Sequence, residues 1–331
     1  MRRFVLVLVV VFVVLVVIVA RRSRRPAEPG PSDPHDVTIE IPQWNLYGGP
    51  SFGRQLDVSP DGKRIVYVGQ AGKGSRQLFV QTIGESEPVG IPGTEAGNRD
   101  VRDPTFSPDG RFIAYWAQGI VKKTTLDGTS VSVIGKATST RGIGWLDSDT
   151  LVIGNAQGTL LKLSPSQEEP SPLFDPVRPH LPHVSPQVLP GNKAVLFTVA
   201  NGPLEGARVW IGNVKTGEKR QLFDENAYAP RYVTSGYIVF GRGPDRELMA
   251  GRFDLVKLEV VGSAQRVLSV PLAGTGAGGA TDYAVSDTGV LVYTPRIDAG
   301  GDTARSWFGD DTQIHVRLHW FDELNRLLPP E

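Results

Sequence analysis

The chain contains no cysteine, so neither a disulfide framework nor thiolate chemistry is open to it. It has no net charge, with 35 basic and 35 acidic residues. That removes the electrostatic footprint expected of a nucleic-acid partner. Histidine is scarce, five in 331 residues, and the arrangement does not suggest a metal. His315, Arg317 and His319 alternate in QIHVRLHW, so on a strand they share a face and a cation stands between the two imidazoles. His180 and His183 flank Pro182 in a Pro-rich stretch. A zinc site needs three or four fixed ligands, so no metal and no cofactor is expected. There is no G-x-S-x-G elbow for a nucleophilic serine and no HRD, DFG or Gly-rich loop with a downstream lysine. The G-x-G-x-x-G of Gly274–Gly279 runs into strand-like residues at Asp282–Val285. A dinucleotide site needs a helix N-terminus there, so this stretch reads as a loop.

One long apolar run is present, Phe4–Ala20, followed by Arg21, Arg22, Arg24 and Arg25 and then by the Pro-rich segment Pro26–Asp36. Seventeen residues with snorkelling arginines at the ends suit a short membrane-spanning helix. Ile18-Val19-Ala20 is a poor cleavage site, which favours an uncleaved anchor over a signal peptide. The expected organisation is an anchor over 1–25, a linker over 26–36 and a folded domain over 37–331. The arginine excess after the run favours a cytoplasmic domain by the positive-inside rule.

The folded part is a repeat. LDVSPDGKRIVYVG at Leu56–Gly69 returns as PTFSPDGRFIAYWA at Pro104–Ala117, and in looser form at Ile143–Asn155, Pro186–Val199, Pro230–Arg242 and Tyr283–Pro295. Each copy reads as strand, tight turn, strand. Proline presets φ, aspartate bonds its own backbone and glycine accepts positive φ. The turn aspartates Asp61 and Asp109 are therefore structural. A second strand pair follows at Gln77–Thr82 with Pro88–Ile91, at Ile120–Thr125 with Val131–Ile134, and at Val209–Val214 with Arg220–Phe223. Six such units at blade-like spacing predict an all-β, six-bladed propeller. The last copy lacks a full second pair, so Val37–Ile41 is expected to complete it and close the ring. Gln313–Trp320 supplies a further strand there, and Phe321–Leu328 a short helix.

These SPDG repeats resemble the TolB-type, WD-like propellers of bacteria over about Val37–Pro295. YAVSDTGVLVY and the closing HVRLHWFDELNRLLPP resemble the propellers that follow the membrane helix of bacterial serine/threonine protein kinases. That resemblance implies an extracytoplasmic propeller held at the bacterial cytoplasmic membrane, against the arginine count, and it sets the expected orientation. It also implies a protein or peptide partner, such as a membrane kinase or envelope complex.

Aligned on the turn glycine, the position eight residues upstream holds Arg54, Arg102 and Arg141 in three consecutive blades. Guanidiniums bind carboxylate or phosphate as a fork, so these three are the candidate ligand-binding residues, at a channel mouth. The functional expectation is a non-catalytic, membrane-anchored sensor for a protein, peptide or small anion. The alternatives are a hydrolase or lyase working in the central channel, and the sensor half of a transmembrane kinase.

Overall fold

The turns set the register of the whole chain. In the computed structural model Ser59 Oγ donates to Asp61 Oδ1 at 2.6 Å, Asp61 accepts from the Lys63 amide at 3.1 Å, and Gly62 reverses the chain at φ 70°. A side chain at Gly62 would strike Thr288 Oγ1 in the matching turn of the last blade. Ser107, Asp109 and Gly110 repeat the arrangement. The serine hydroxyl, ahead of the other contacts, holds the Asp109 carboxyl down at about 2. Both aspartates are thus committed to their turns.

The structure describes residues 35–40, 54–71, 75–85, 87–97, 101–167, 169–200, 206–275, 280–296 and 313–329. The apolar run Phe4–Ala20 and its arginine flanks lie outside them, as do Ile41 and all of the linker except His35 and Asp36. Among the described residues no helix is long and apolar enough to cross a membrane. Residues Pro34–Glu331 form one compact unit.

Within it the described strands build six four-stranded antiparallel sheets. Blade 1 runs Leu56–Val58, Arg64–Ala71, Ser75–Thr82 and Val89–Gly90. Blade 2 runs Val101–Phe106, Phe112–Ala117, Ile120–Thr125 and Val131–Lys136. Blade 3 is Ile143–Trp145, Leu151–Ile153, Leu161–Leu163 and Ser171–Pro172. Blade 4 is His183–Val188, Ala194–Val199, Arg208–Asn213 and Lys219–Gln221. Blade 5 is Tyr228–Val233, Tyr237–Arg242, Glu247–Asp254 and Glu259–Arg266. Blade 6 takes three strands from the C-terminal part, Tyr283–Val285, Leu291–Tyr293 and Gln313–Leu318, and its outermost strand from the other end of the chain, His35–Glu40. The register pairs Val37 with Val316 and Ile39 with Ile314. The closure expected of Val37–Ile41 is therefore present, over His35–Glu40.

The second strands of the blades are almost wholly apolar because both of their faces are covered. AVLFTV in blade 4 is buried at every position. Alternate residues go to different seams: Ala114 and Trp116 pack against blade 3, while Ile113 and Tyr115 pack against blade 1. One apolar cluster fills each of the six seams. The seam between blades 5 and 6 is also covered by the C-terminal helix, Trp320–Leu327. Trp320 and Leu324 are fully buried in it, and Tyr237 Oη donates to the Leu328 carbonyl at 2.8 Å.

The G-x-G-x-x-G stretch lies between two short paired strands, Gly274–Thr275 and Ala280–Thr281, and strand Tyr283–Val285 follows. Residues 276–279 lie outside the described residues. Among the described residues no helix directly follows the motif.

Candidate functional site

The innermost strands of all six blades surround a cavity of about 400 Å³ at their turn ends. Its wall repeats with the blades. Four residues before the turn glycine position stand Val58, Phe106, Trp145, Val188, Tyr232 and Val285, and five before it stand Asp57, Thr105, Gly144, Gln187 and Arg231. Several of the second set fasten one blade to the next. Asp57 Oδ2 accepts from the Phe106 amide at 2.9 Å, Thr105 Oγ1 lies 3.3 Å from the Ile143 carbonyl, and Gln187 takes both the amide and the carbonyl of Tyr232.

Arg231 departs from this pattern. Its guanidinium turns back to the Pro230 carbonyl at 2.8 Å and to the Ser185 carbonyl of blade 4 at 3.3 Å. Burial, followed by repulsion from Arg54, pushes it down to about 10, so it stays charged at neutral pH. Arg54 reaches the same cavity, where it meets Asp57 at 3.3 Å and Thr105 Oγ1 at 3.1 Å. The two guanidiniums are both buried. Asp57 is the carboxylate paired with Arg54, and its other oxygen is already taken by Phe106. The cavity wall thus holds two guanidiniums, and Arg231 has no carboxylate paired with it among the described residues, so it can receive one.

The three arginines singled out in the sequence do not all go to one place. Arg54 is in the cavity wall. Arg102 lies over the Trp116 ring at 3.9 Å and close enough to Arg141 to depress it, after burial, which is the larger cause. Neither Arg102 nor Arg141 lines the cavity. Between the blades Asp103 accepts from the Arg54 amide at 2.9 Å and from Thr140 Oγ1 at 2.7 Å. Arg231 is not singled out by the position eight residues before the turn, where blade 5 has Tyr228. The same alignment three residues further on finds it.

Asp282 closes the polar belt between blades 6 and 1, accepting from the Gln55 amide at 3.1 Å. Burial raises its carboxyl to about 6, against the opposing pull of that amide, Arg246 and Arg54. The folded protein then takes up this proton near pH 6 and the unfolded chain only near pH 4. Keeping the ionised form buried costs about 3 kcal/mol at pH 7, a cost relieved as pH falls through 6. Asp282→Asn keeps the acceptor for Gln55. It should raise the urea midpoint at pH 7, and the gap from wild type should shrink at pH 5. Equal gaps at both pH values would contradict the assignment.

His183 is fully buried beside Phe197, with Nδ1 2.8 Å from the Leu181 carbonyl and Nε2 accepting from the Val177 amide at 3.3 Å. Both nitrogens are occupied by backbone. Among the described residues no three His, Asp or Glu side chains converge on a point that could hold a metal ion.

No family model matches the chain, and no curated protein matches it. Solved structures do. The oligogalacturonate lyase of Vibrio parahaemolyticus aligns with a TM-score of 0.54 at 12% identity, over 86% of this chain and 96% of its own. An oligogalacturonate lyase in complex with manganese aligns at 0.53 and 14%, over 81% and 74%. TolB from Acinetobacter baumannii aligns at 0.56 and 13%, over 78% of this chain and 64% of its own. The fold is the TolB-like six-bladed propeller.

The lyases correct one expectation. The expectation of a non-catalytic sensor rests on the lack of a catalytic motif or domain beside the propeller repeats. In the lyases a propeller of this fold is itself the enzyme, so the missing domain does not argue against catalysis. The neighbours are mixed, lyases alongside TolB, and at this identity they establish the fold alone.

Proposed function

We propose that the chain is a propeller enzyme of the lyase type, acting in its central cavity on a carboxylate-bearing substrate such as a uronate oligomer. The observation that carries this is the buried pair Arg54 and Arg231 in one cavity of about 400 Å³, a volume within the usual range for a small-molecule site. A carboxylate set against guanidiniums withdraws electron density from its α-carbon. The C–H bond there becomes acidic, which is what an elimination needs. Charge stabilisation of this kind is the largest catalytic term in many enzymes. The fold likeness to the oligogalacturonate lyases supports the substrate class by analogy only. The described residues do not assemble the donor set a manganese ion would need, so no step is assigned to a metal.

Galacturonate oligomers are the probe. Elimination should create a conjugated double bond, read as a rise in ultraviolet absorbance, together with shortened oligomers on chromatography. Arg231→Gln should lower kcat/KM by about 100-fold or more, the scale of losing one charge-stabilising donor. Oligomers that shorten without absorbance would mean hydrolysis instead. Wild-type protein that leaves the oligomers intact would remove the lyase assignment.

A further inference from the structure

The carboxylates near the ring axis sort by what holds them. Asp61 and Asp109 are tied into their turns by a serine and an amide. Asp57 spends one oxygen on Arg54 and the other on Phe106, Asp103 is bonded through both oxygens, and Asp282 accepts from Gln55. Asp287 differs from all of them. It stands in the wall of the cavity that holds Arg54 and Arg231. Its turn, SDTG, places aspartate where blades 1, 2 and 4 have Pro60, Pro108 and Pro190. Thr288 takes over the place of the SPDG aspartate, with its hydroxyl 3.0 Å from Ser286 Oγ, so Asp287 is released from turn duty. The backbone of Asp287 is fixed on both sides, its amide to the Pro60 carbonyl at 3.0 Å and its carbonyl to Thr234 Oγ1 at 2.8 Å. Its carboxylate makes no hydrogen bond or ion pair among the described residues. Asp287 is an exposed residue, and its partial desolvation by the surrounding turns raises its pKa.

We infer that Asp287 is the proton-transfer residue of this cavity, an assignment that rests on the elimination proposed above. A general base needs a free oxygen, a fixed backbone and a pKa moved toward the working pH. In the elimination Asp287 accepts the proton from the carbon next to the substrate carboxylate. The C–H electron pair becomes the new carbon–carbon double bond, and the bond to the β-oxygen breaks with its pair on the oxygen. That oxygen then takes up a proton from Asp287, so the carboxylate is regenerated and no co-reactant is consumed. Arg54 and Arg231 hold the carboxylate throughout.

The test compares wild type, Asp287→Asn and Asp287→Glu on galacturonate oligomers, with binding followed by calorimetry alongside turnover. Asp287→Asn should lower kcat by 10²–10⁴-fold, the usual contribution of a positioned base, with oligomer binding within a few-fold of wild type. The acidic limb of the kcat/KM profile should vanish in that variant and return, shifted, with glutamate. If wild type turns over and Asp287→Asn keeps more than a third of its kcat, the assignment is overturned while the lyase function stands. If wild type neither binds nor cleaves the oligomers, both fall together. Loss of binding in Asp287→Asn with kcat unchanged would make Asp287 a contact rather than a base, which also overturns it.

Discussion

Asp57→Ala should destabilise the propeller by about 3 kcal/mol, the low end of the cost of stripping one partner from a buried ion pair, because Asp57 is only partly buried. Asp57 is the acid joined to Arg54, and it also fastens blade 1 to the Phe106 amide of blade 2. Without it Arg54 loses its ion-pair partner, and the repulsion between Arg54 and Arg231 is no longer offset at that point. Asp57→Asn keeps an acceptor for Phe106 and loses only the charge, so it should fall between alanine and wild type. An anion that enters the cavity replaces the missing charge. Added galacturonate should therefore raise the melting temperature of both variants more than that of wild type, since a ligand that binds only the folded state stabilises it more the tighter it binds. Thermal unfolding with and without galacturonate checks both parts. A loss below about 1 kcal/mol for alanine would show that Asp57 does not balance the two arginines.

Removing the strand His35–Glu40 should have an effect of similar size. Ile39 is buried in the seam between blades 6 and 1, and Val37 packs partly against the same cluster. Their burial contributes on the order of 3–5 kcal/mol, and their loss leaves strand Gln313–Leu318 as an unpaired edge. A chain starting at residue 41 should melt about 5–8 °C below one starting at residue 34, from the usual relation between free energy and melting temperature. Asp36→Ala is the control. It removes the half-exposed pair with Arg317, leaves the strand, and should cost less than about 1 kcal/mol. Equal melting temperatures for the two chain lengths would mean that the ring holds without its terminal strand.

The architecture was legible because the turn chemistry is written out in each blade. SPDG, SDTG and their variants mark the same corner six times, and the unfinished sixth copy pointed to the N-terminal strand that completes it. The candidate site was less legible, and the reason is local. Blades 2, 4 and 5 carry a bulge at the entry to the innermost strand, where Asp103, Ser185 and Ala229 adopt positive φ just before a proline. A bulge sets two residues against one and re-aims the side chains beyond it. Counting back from the turn therefore gives a position in the chain without giving what its side chain faces. Arg102 and Arg231 illustrate this, one on Trp116 and the other in the cavity wall. Asp287 was hidden differently. Its turn matches the repeat so well that the exchange of proline for a free carboxylate looks like ordinary variation.

The pairing of Asp36 with Arg317 joins positions 281 residues apart, and this governs how the protein comes off the ribosome. Blades 1 to 5 can each form from contiguous sequence as it emerges, while the sixth cannot be finished until the C-terminal strand is out. Contacts of such long sequence separation slow folding. For that interval the first strand has no partner, and the side of blade 1 that carries Leu56, Tyr67 and Phe79 has nothing to cover it. An incomplete ring with an open seam is the kind of intermediate that associates with its neighbours. The yield of this protein should therefore depend on translation speed and chaperone supply more than the stability of its finished ring would suggest.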